Sequence, residues 1–185
     1  MRQIAGVLLT GGASRRMGTD KAQIIVNGET LAARAARVLS AACDPVIEVG
    51  PGLSGLPAVQ EDPPGSGPLV ALLAAVGALG NPRVVVLLGC DLPFVEPPLL
   101  QLLVEWPGNG TVIPMVGERL QYACARYGRA AIDAAVVALR SGDSSLRAVA
   151  GVDSEHLTAE QWGGVATEHA FEDVDTPDDL RRLGL

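Results

Sequence analysis

Residues 4–9 read IAGVLL and residues 83–89 read RVVVLLG. Each contains a short run of Val, Leu and Ile that leads into a loop, which is typical of strands buried on both faces of a parallel sheet. Between these two strands the periodicity predicts an amphipathic helix over 30–42, a strand over 46–49 and a very apolar helix over 68–79. This alternation predicts a doubly wound, three-layer, Rossmann-like α/β fold with a mostly parallel sheet.

The remainder of the chain continues with shorter elements. The expected elements are a helix over 95–106, strands over 111–114 and 121–127, helices over 130–139 and 145–150, and a last strand over 166–171. A C-terminal helix follows, because Thr176 is a good N-cap and Pro177 suits a first helical turn. The Gly- and Pro-rich loop 51–68 lies inside the alternation, so residues 1–185 are predicted to form a single domain.

Composition restricts the classes of partner and the compartment. The 185 residues carry a formal charge of −7, which argues against a nucleic-acid partner because binding to phosphate backbones needs a basic surface. Cys43, Cys90 and Cys124 are far apart and predict neither a zinc site nor a disulfide framework. The sequence shows no pattern of a cleavable leader and no apolar run with a length of about 18 residues. We therefore expect a cytoplasmic protein without a membrane span.

A glycine-rich segment follows the first strand: residues 9–21 read LTGGASRRMGTDK. Glycines let backbone amides turn toward an anion, and Arg16 and Lys21 could neutralise a phosphate. Lys21 is also the single lysine among 14 basic residues. The spacing fits neither the P-loop nor the dinucleotide fingerprint. A simple turn with solvated cations is the alternative, but the position after a strand favours phosphate binding.

One carboxylate stands at the end of the second apolar run, where residues 88–94 read LGCDLPF. Mg²⁺ is held by one or two protein carboxylates, with water and substrate phosphates in its other positions, so Asp91 is a candidate ligand. Taken alone, an Asp after a strand is more often a helix cap, here for a helix that would begin near Glu96. The residues alone leave both roles open.

Residues 9–22, LTGGASRRMGTDKA, resemble the LAGGxSxRMGxDKA segment of the molybdenum cofactor guanylyltransferases and their nucleotidyltransferase relatives. Thr10 stands where that family usually has alanine. The resemblance implies that this segment binds the base and the triphosphate, and that its basic residues take part in catalysis. The nucleotide-binding residues implied in this segment are Leu9, Thr10, Gly11, Gly12, Arg16 and Lys21.

Three further segments are similar to the same family. The CDxP motif implies that Asp91 binds the metal and the nucleotide, and the EDPPGSGPL segment implies that Asp62 helps to hold the nucleotide. Residues 171–180, FEDVDTPDDL, resemble FxNxNTPxDL with both asparagines replaced by aspartate. These aspartates could add to metal binding or repel an acceptor phosphate. The acceptor-binding residues implied by the resemblance are Arg119, Gln121, Arg147, Asp173 and Asp175.

The resemblance implies Mg²⁺-dependent transfer of GMP from GTP to the terminal phosphate of molybdopterin cofactor, with release of pyrophosphate. Residues 49–51 read VGP where some relatives have an asparagine near the base, so CTP and a cytidylyltransferase remain an alternative, as does another small nucleotidyltransferase. A non-catalytic molybdenum-cofactor binding or maturation protein is a further alternative. Transient contact with a molybdoenzyme is expected because the cofactor needs protection.

Overall fold

The structure is a computed structural model that describes residues 4–11 and 20–185. The strands are β1 (Ala5–Leu9), β2 (Ile25–Val26), β3 (Glu29–Thr30), β4 (Val46–Val49), β5 (Ala58–Val59), β6 (Val84–Gly89), β7 (Thr111–Val116), β8 (Arg119–Leu120), β9 (Cys124–Gly128) and β10 (Ser154–Leu157). The α-helices are α1 (Leu31–Ser40), α2 (Pro68–Ala78), α3 (Pro97–Glu105), α4 (Arg129–Arg140), α5 (Ala159–Trp162) and α6 (Pro177–Leu183). Short 3₁₀ turns lie at Lys21–Gln23, Leu146–Val149 and Glu168–Phe171.

The main sheet has the strand order β10-β7-β9-β6-β1-β4-β5, with β8 paired to β7 and β2–β3 forming a separate hairpin. β1 is parallel to β4 and β6, β4 is parallel to β5, and β7 is parallel to β10. β9 runs antiparallel to β6 and β7. The prediction of a mostly parallel sheet is therefore confirmed.

Helices cover both faces of this sheet, which gives the predicted three layers. Successive residues of β6 point to opposite faces, so Val86 and Leu88 pack with α1 and α3, and Val85 and Leu87 pack with α2 and α4. Strands that are apolar on both faces need such cover on each side. The unbroken apolar part of RVVVLLG reflects this burial on both faces of the sheet.

N-cap side chains and prolines stand at the starts of α1, α2, α3 and α6. Thr30 accepts the amide of Ala33 at 3.2 Å and so starts α1, as an N-cap residue does. α2 and α3 begin at Pro68 and Pro97, whose missing N–H groups have no role in a first helical turn. α6 begins after Thr176, the predicted N-cap, and Thr176 forms a capping box with Asp179 there.

The prediction of a strand over 166–171 is wrong. Those residues include the 3₁₀ turn Glu168–Phe171, and the sheet instead gains β10 at Ser154–Leu157. β10 is an edge strand in which only Leu157 is buried, so it carries no apolar run for a pattern to detect. Phe171 packs in the turn with its ring 5.2 Å from that of Trp162.

Other elements differ from the prediction at their bounds or in their type. The strand expected over 121–127 is β9, which begins only at Cys124, and the helix expected over 145–150 is the 3₁₀ turn Leu146–Val149. The helix expected over 95–106 is α3, which starts two residues later at Pro97. Within the described ranges, no helix is long and apolar enough to cross a bilayer.

Candidate active site

The carboxyl ends of β1 and β6 meet at the centre of the sheet, where the strand order reverses. Leu9 lies opposite Gly89, and the amide of Cys90 donates to the carbonyl of Leu9 at 3.0 Å. The loops that start at Thr10 and carry Asp91 therefore leave the sheet side by side. Ligands of doubly wound α/β folds bind at such a reversal point.

A cleft of about 1090 Å³ opens at this edge. Small-molecule sites are commonly about 300–1,000 Å³, so this cleft is large enough for a nucleotide and part of a second substrate. The predicted nucleotide-binding residues that line it are Leu9, Thr10, Gly11, Lys21 and Asp91. The predicted acceptor-binding residues that line it are Arg119, Gln121, Arg147 and Asp173. The structure brings both groups of residues to one cleft.

Lys21 and Asp91 lie together although they belong to different loops. Lys21 Nζ is 4.0 Å from Asp91 Oδ2, with the two side chains 19% and 33% exposed. Asp20 orients the turn that carries Lys21, because its carboxylate accepts the amide of Ala22 at 3.1 Å. A ligand in the cleft can reach the ammonium and the carboxylate at the same time.

The surroundings of Asp91 disfavour its charged form. Burial raises the pKa of this carboxyl, Lys21 opposes the rise, and the negative charges of Asp173 and Asp175 add to it. A Cβ atom at Gly89 would lie 2.5 Å from Asp91 Oδ1, so any larger residue there would push this carboxylate out of its position. A carboxylate in such a position gains from binding a cation.

The site has carboxylates that could act as ligands of a magnesium ion. Within the described residues no group of three or more His, Cys, Asp or Glu side chains could hold a metal. Mg²⁺ is usually bound through one or two carboxylates and completed by water and phosphates. Asp91, with Asp173 lining the same cleft, fits this coordination chemistry.

The C-terminal segment closes one side of the site. Val174 is fully buried, and its amide donates to the carbonyl of Asp91 at 2.9 Å. Asp173 precedes it and lines the cleft. The backbone around Asp91 is thus held by a segment more than 80 residues later in the sequence.

Asp175 contacts Lys21 rather than lining the cleft. Its carboxylate forms an ion pair with Lys21 Nζ, and its side chain is 44% exposed. The amides of Asp175 and Thr176 donate to Asp179 Oδ2 at 3.1 and 2.8 Å, so the cap of α6 holds Asp175 in place. The acceptor role implied for Asp175 by the sequence remains a prediction.

Two arginines of the expected acceptor region lie on elements from the second half of the chain. Arg119 belongs to β8, and Arg147 belongs to the 3₁₀ turn Leu146–Val149. Gln121 donates from its side chain to the carbonyl of Arg119 at 3.2 Å. The two guanidinium groups add positive charge to a cleft that otherwise contains several carboxylates.

Glu61, and not its neighbour Asp62, is turned toward the glycine-rich segment. Asp62 is exposed and is not among the residues that line the cleft. Glu61 is 7% exposed and accepts the amide of Gly65 at 2.8 Å. A Cβ atom at Gly11 would lie 3.8 Å from Glu61 Oε1. Glu61 could not be singled out from the sequence, because the family resemblance implies a role for the aspartate beside it.

The start of the glycine-rich segment is tied to β4. The amides of Thr10 and Gly11 both donate to the carbonyl of Val49, at 3.1 and 3.3 Å. These two amides therefore position the segment in this structure. Gly12 and Arg16, for which nucleotide contacts are also predicted, lie outside the described residues.

Several residues of the site carried no sequence signal strong enough to single them out. Glu168, Phe171, Glu172 and Arg182 also line the cleft. Arg182 Nη1 donates to Glu172 Oε2 at 2.9 Å. Arg182 lies on α6, so only the packing of this short helix brings it to the cleft.

The histidines and cysteines do not supply a base or a nucleophile to the cleft. His156 lies on β10, and the ring of His169 stacks on Phe94 with centroids 3.7 Å apart. Cys90 lines the cleft, but burial raises the pKa of its thiol to about 12. The charged side chains that line the cleft are those of lysine, arginine, aspartate and glutamate residues.

Comparison with known proteins identifies the family to which this chain belongs. Residues 6–158 match the family of MobA-like NTP transferase domains. A probable molybdenum cofactor guanylyltransferase of Pelotomaculum thermopropionicum is 35% identical, over 97% of this chain and 91% of the relative. A molybdenum cofactor guanylyltransferase of Cereibacter sphaeroides is 31% identical, over 97% of this chain and 95% of the relative.

A solved structure has the same fold. Molybdopterin-guanine dinucleotide biosynthesis protein A of Archaeoglobus fulgidus superposes with a TM-score of 0.81, over 97% of this chain and 96% of that chain, at 23% sequence identity. The family match covers most of the sequence and includes the loops after β1 and β6. The chain therefore belongs to the family of MobA-like NTP transferase domains and is a nucleotidyltransferase.

Proposed function

We propose that this chain, as a single domain over residues 1–185, transfers GMP from GTP to the terminal phosphate of molybdopterin cofactor and releases pyrophosphate. The relatives named as molybdenum cofactor guanylyltransferases support this donor and acceptor. The observation that carries the proposal is the 4.0 Å separation of Lys21 Nζ and Asp91 Oδ2 in one cleft. An ammonium and a carboxylate so placed suit phosphate binding and metal binding at one triphosphate.

The reaction needs no proton acceptor from the protein. An oxygen of the acceptor's terminal phosphate attacks the α-phosphorus of GTP and forms a new P–O bond. The bond from the α-phosphorus to the bridging oxygen breaks, and its electron pair leaves with pyrophosphate. Because the attacking oxygen is already ionised at neutral pH, catalysis consists of in-line positioning and charge neutralisation.

We propose that the metal is Mg²⁺ and that Asp91 is its ligand. When bound, Mg²⁺ would offset negative charge on the triphosphate oxygens. Lys21 lies beside Asp91 and would neutralise negative charge on the same phosphates. Arg119 and Arg147 would bind the acceptor phosphate, since an arginine fork matches phosphate geometry. From sequence alone, we add Arg16 to the residues that contact the triphosphate.

The test is pyrophosphate release with purified molybdopterin cofactor and Mg²⁺, using GTP, CTP, ATP or UTP as the donor. We expect release with GTP, and we expect Asp91→Asn to lower kcat/KM by about 100-fold or more. Asp133→Asn is the matched control, because Asp133 is an exposed carboxylate paired with Arg129 on α4. Preference for CTP would make the chain a cytidylyltransferase. Cofactor binding without release from any nucleotide would favour a binding or maturation protein.

We also propose a cytoplasmic location and a transient contact with a molybdoenzyme. The three free, buried thiols support a reducing compartment. The contact is inferred from the cofactor's need for protection. Cross-linking in cells should capture a molybdoenzyme with this chain, and the absence of any such complex would count against the contact.

A further inference from the structure

A fully buried carboxylate next to the nucleotide end of the cleft has no part in the chemistry described above. Glu48 is the third residue of β4 and is 0% exposed. In the described part of the chain, no lysine or arginine forms an ion pair with it. Burying an unpaired charge is costly unless hydrogen bonds replace the lost water. The donors that surround Glu48 therefore indicate what it holds.

Five hydrogen bonds converge on the two carboxylate oxygens. Oε1 accepts the hydroxyl of Thr10 at 2.5 Å and the amides of Gly52 and Leu53 at 2.8 and 3.0 Å. Oε2 accepts the amide and the hydroxyl of Ser54 at 2.8 and 2.5 Å. Burial alone would raise the pKa of Glu48, but the bonds from Ser54 and Thr10 outweigh it and lower the pKa.

These bonds join two parts of the chain at the carboxyl edge of the sheet. Thr10 begins the glycine-rich segment and lines the cleft, whereas residues 52–54 belong to the loop after β4. Gly50 lets the two parts approach, because a Cβ atom there would lie 2.2 Å from Thr10 Oγ1 and 2.8 Å from the amide of Gly11. Glu48 therefore joins the start of the nucleotide segment at Thr10 to the loop after β4 by hydrogen bonds.

We propose that Glu48 is a positioning residue for the nucleotide, acting through the hydroxyl of Thr10. It touches no reacting atom. It fixes the backbone of Thr10 and Gly11 against β4, and so sets where the glycine-rich segment starts relative to Lys21 and Asp91. This inference rests on the proposed function, because it assumes that the cleft binds a nucleoside triphosphate.

The test compares variants that cut or weaken this connection with variants that leave it intact. Thr10→Val removes the hydroxyl at nearly constant volume, and Glu48→Gln turns an amide group toward backbone N–H donors. Thr10→Ser keeps the hydroxyl. Ser54→Ala removes a bond to the same carboxylate, but on the oxygen that does not contact Thr10.

We expect Thr10→Val and Glu48→Gln each to raise the Kd for GTP in the presence of Mg²⁺ about tenfold, as losing a hydrogen bond to a charged group does. The KM for GTP should rise with the Kd, and kcat should change less than about threefold because no reacting atom is contacted. The double variant should bind no more weakly than the weaker single variant. Ser54→Ala should stay within about threefold of the wild-type Kd, and Thr10→Ser should bind GTP more tightly than Thr10→Val because it keeps the hydroxyl.

Other outcomes would overturn the inference. If Thr10→Val and Glu48→Gln melt at a lower temperature but bind GTP like the wild type, Glu48 has a purely structural role. Equal losses of affinity from Thr10→Val and Ser54→Ala would refute a connection through Thr10. If the wild type binds none of GTP, CTP, ATP and UTP, the proposed function fails and this inference fails with it. Binding by the wild type with unchanged variants refutes the positioning role alone.

Discussion

The ion pair between Lys21 and Asp175 leads to a prediction whose direction is opposite to that of most active-site substitutions. In this structure the ammonium that would bind a triphosphate is already in contact with the Asp175 carboxylate. The Asp175 carboxylate therefore competes with the phosphates of a nucleotide for the positive charge of Lys21. Asp175→Asn removes the competing charge and keeps the size of the side chain, so it should tighten nucleotide binding.

The magnitude follows from the exposure of the pair. The Lys21 side chain is 19% exposed and the Asp175 side chain is 44% exposed, so solvent screens their attraction. Two unit charges about 4 Å apart attract by about 1 kcal/mol in water, and exposed ion pairs contribute up to about 1 kcal/mol. Since about 1.4 kcal/mol corresponds to a tenfold change, we expect the Kd for GTP to fall about fivefold.

The measurement is calorimetric titration of GTP into the protein with Mg²⁺ and without the acceptor. Leaving out the acceptor separates this effect from any role of Asp175 in binding the second substrate. Asp178→Asn is the matched control, because Asp178 lies three residues after Asp175, in the first turn of α6, and pairs with Arg181 instead of Lys21. The control removes the same unit of charge and should leave the Kd within about twofold, since charges at the exposed surface are screened.

The result that would refute this reasoning is weaker GTP binding by Asp175→Asn than by the wild type. Weaker binding would mean that Asp175 helps to hold the metal or to orient Lys21, and that its charge does not compete with the phosphates. An equal gain in affinity from Asp178→Asn would attribute the effect to net charge. Raising the salt concentration should reduce the difference between Asp175→Asn and the wild type.

Three further predictions concern stability and reactivity. Burial raises the pKa of Asp91 above its ordinary value of 3.8, so its charged form destabilises the metal-free fold. The melting temperature of Asp91→Asn should therefore exceed that of the wild type near pH 8, and the difference should shrink as the pH falls through the raised pKa. A lower melting temperature near pH 8 would contradict this. Arg126, 1% exposed, donates to carbonyls of residues 103–110, so Arg126→Met should cost about 3 kcal/mol in urea unfolding yet leave the Kd for GTP unchanged. Because burial raises the pKa values of Cys43, Cys90 and Cys124 to about 12, iodoacetamide near pH 8 should label them only after denaturation, and rapid labelling of the native protein would show that the thiols are accessible.

The elements with strong periodicity were predictable because their burial is written into consecutive residues. The runs at 4–9 and 83–89 became β1 and β6, and Thr176 and Pro177 began α6. β10 was missed because an edge strand needs only one inward side chain, which here is Leu157. The turn Glu168–Phe171 was predicted as a strand because its buried residues, Ala170 and Phe171, were attributed to the sheet.

The candidate site divides in the same way. Lys21 and Asp91 could be singled out because each follows a predicted strand and belongs to a long motif. Glu61 and Glu48 could not, since nothing in the residues around them indicates that either carboxylate is buried and supplied with hydrogen-bond donors. Their burial depends on backbone amides of neighbouring loops and, for Glu48, on the hydroxyl of Thr10.

The sequence by itself determined the alternation of apolar strands and helices, the glycine-rich segment and the family. Only the tertiary structure decided that Lys21 meets both Asp91 and Asp175, and that Glu48 supports Thr10. The physical reason is the range of the interactions. Periodicity, capping and turn chemistry act between residues a few positions apart, whereas these contacts join loops that become neighbours only when the order of strands in the sheet is set.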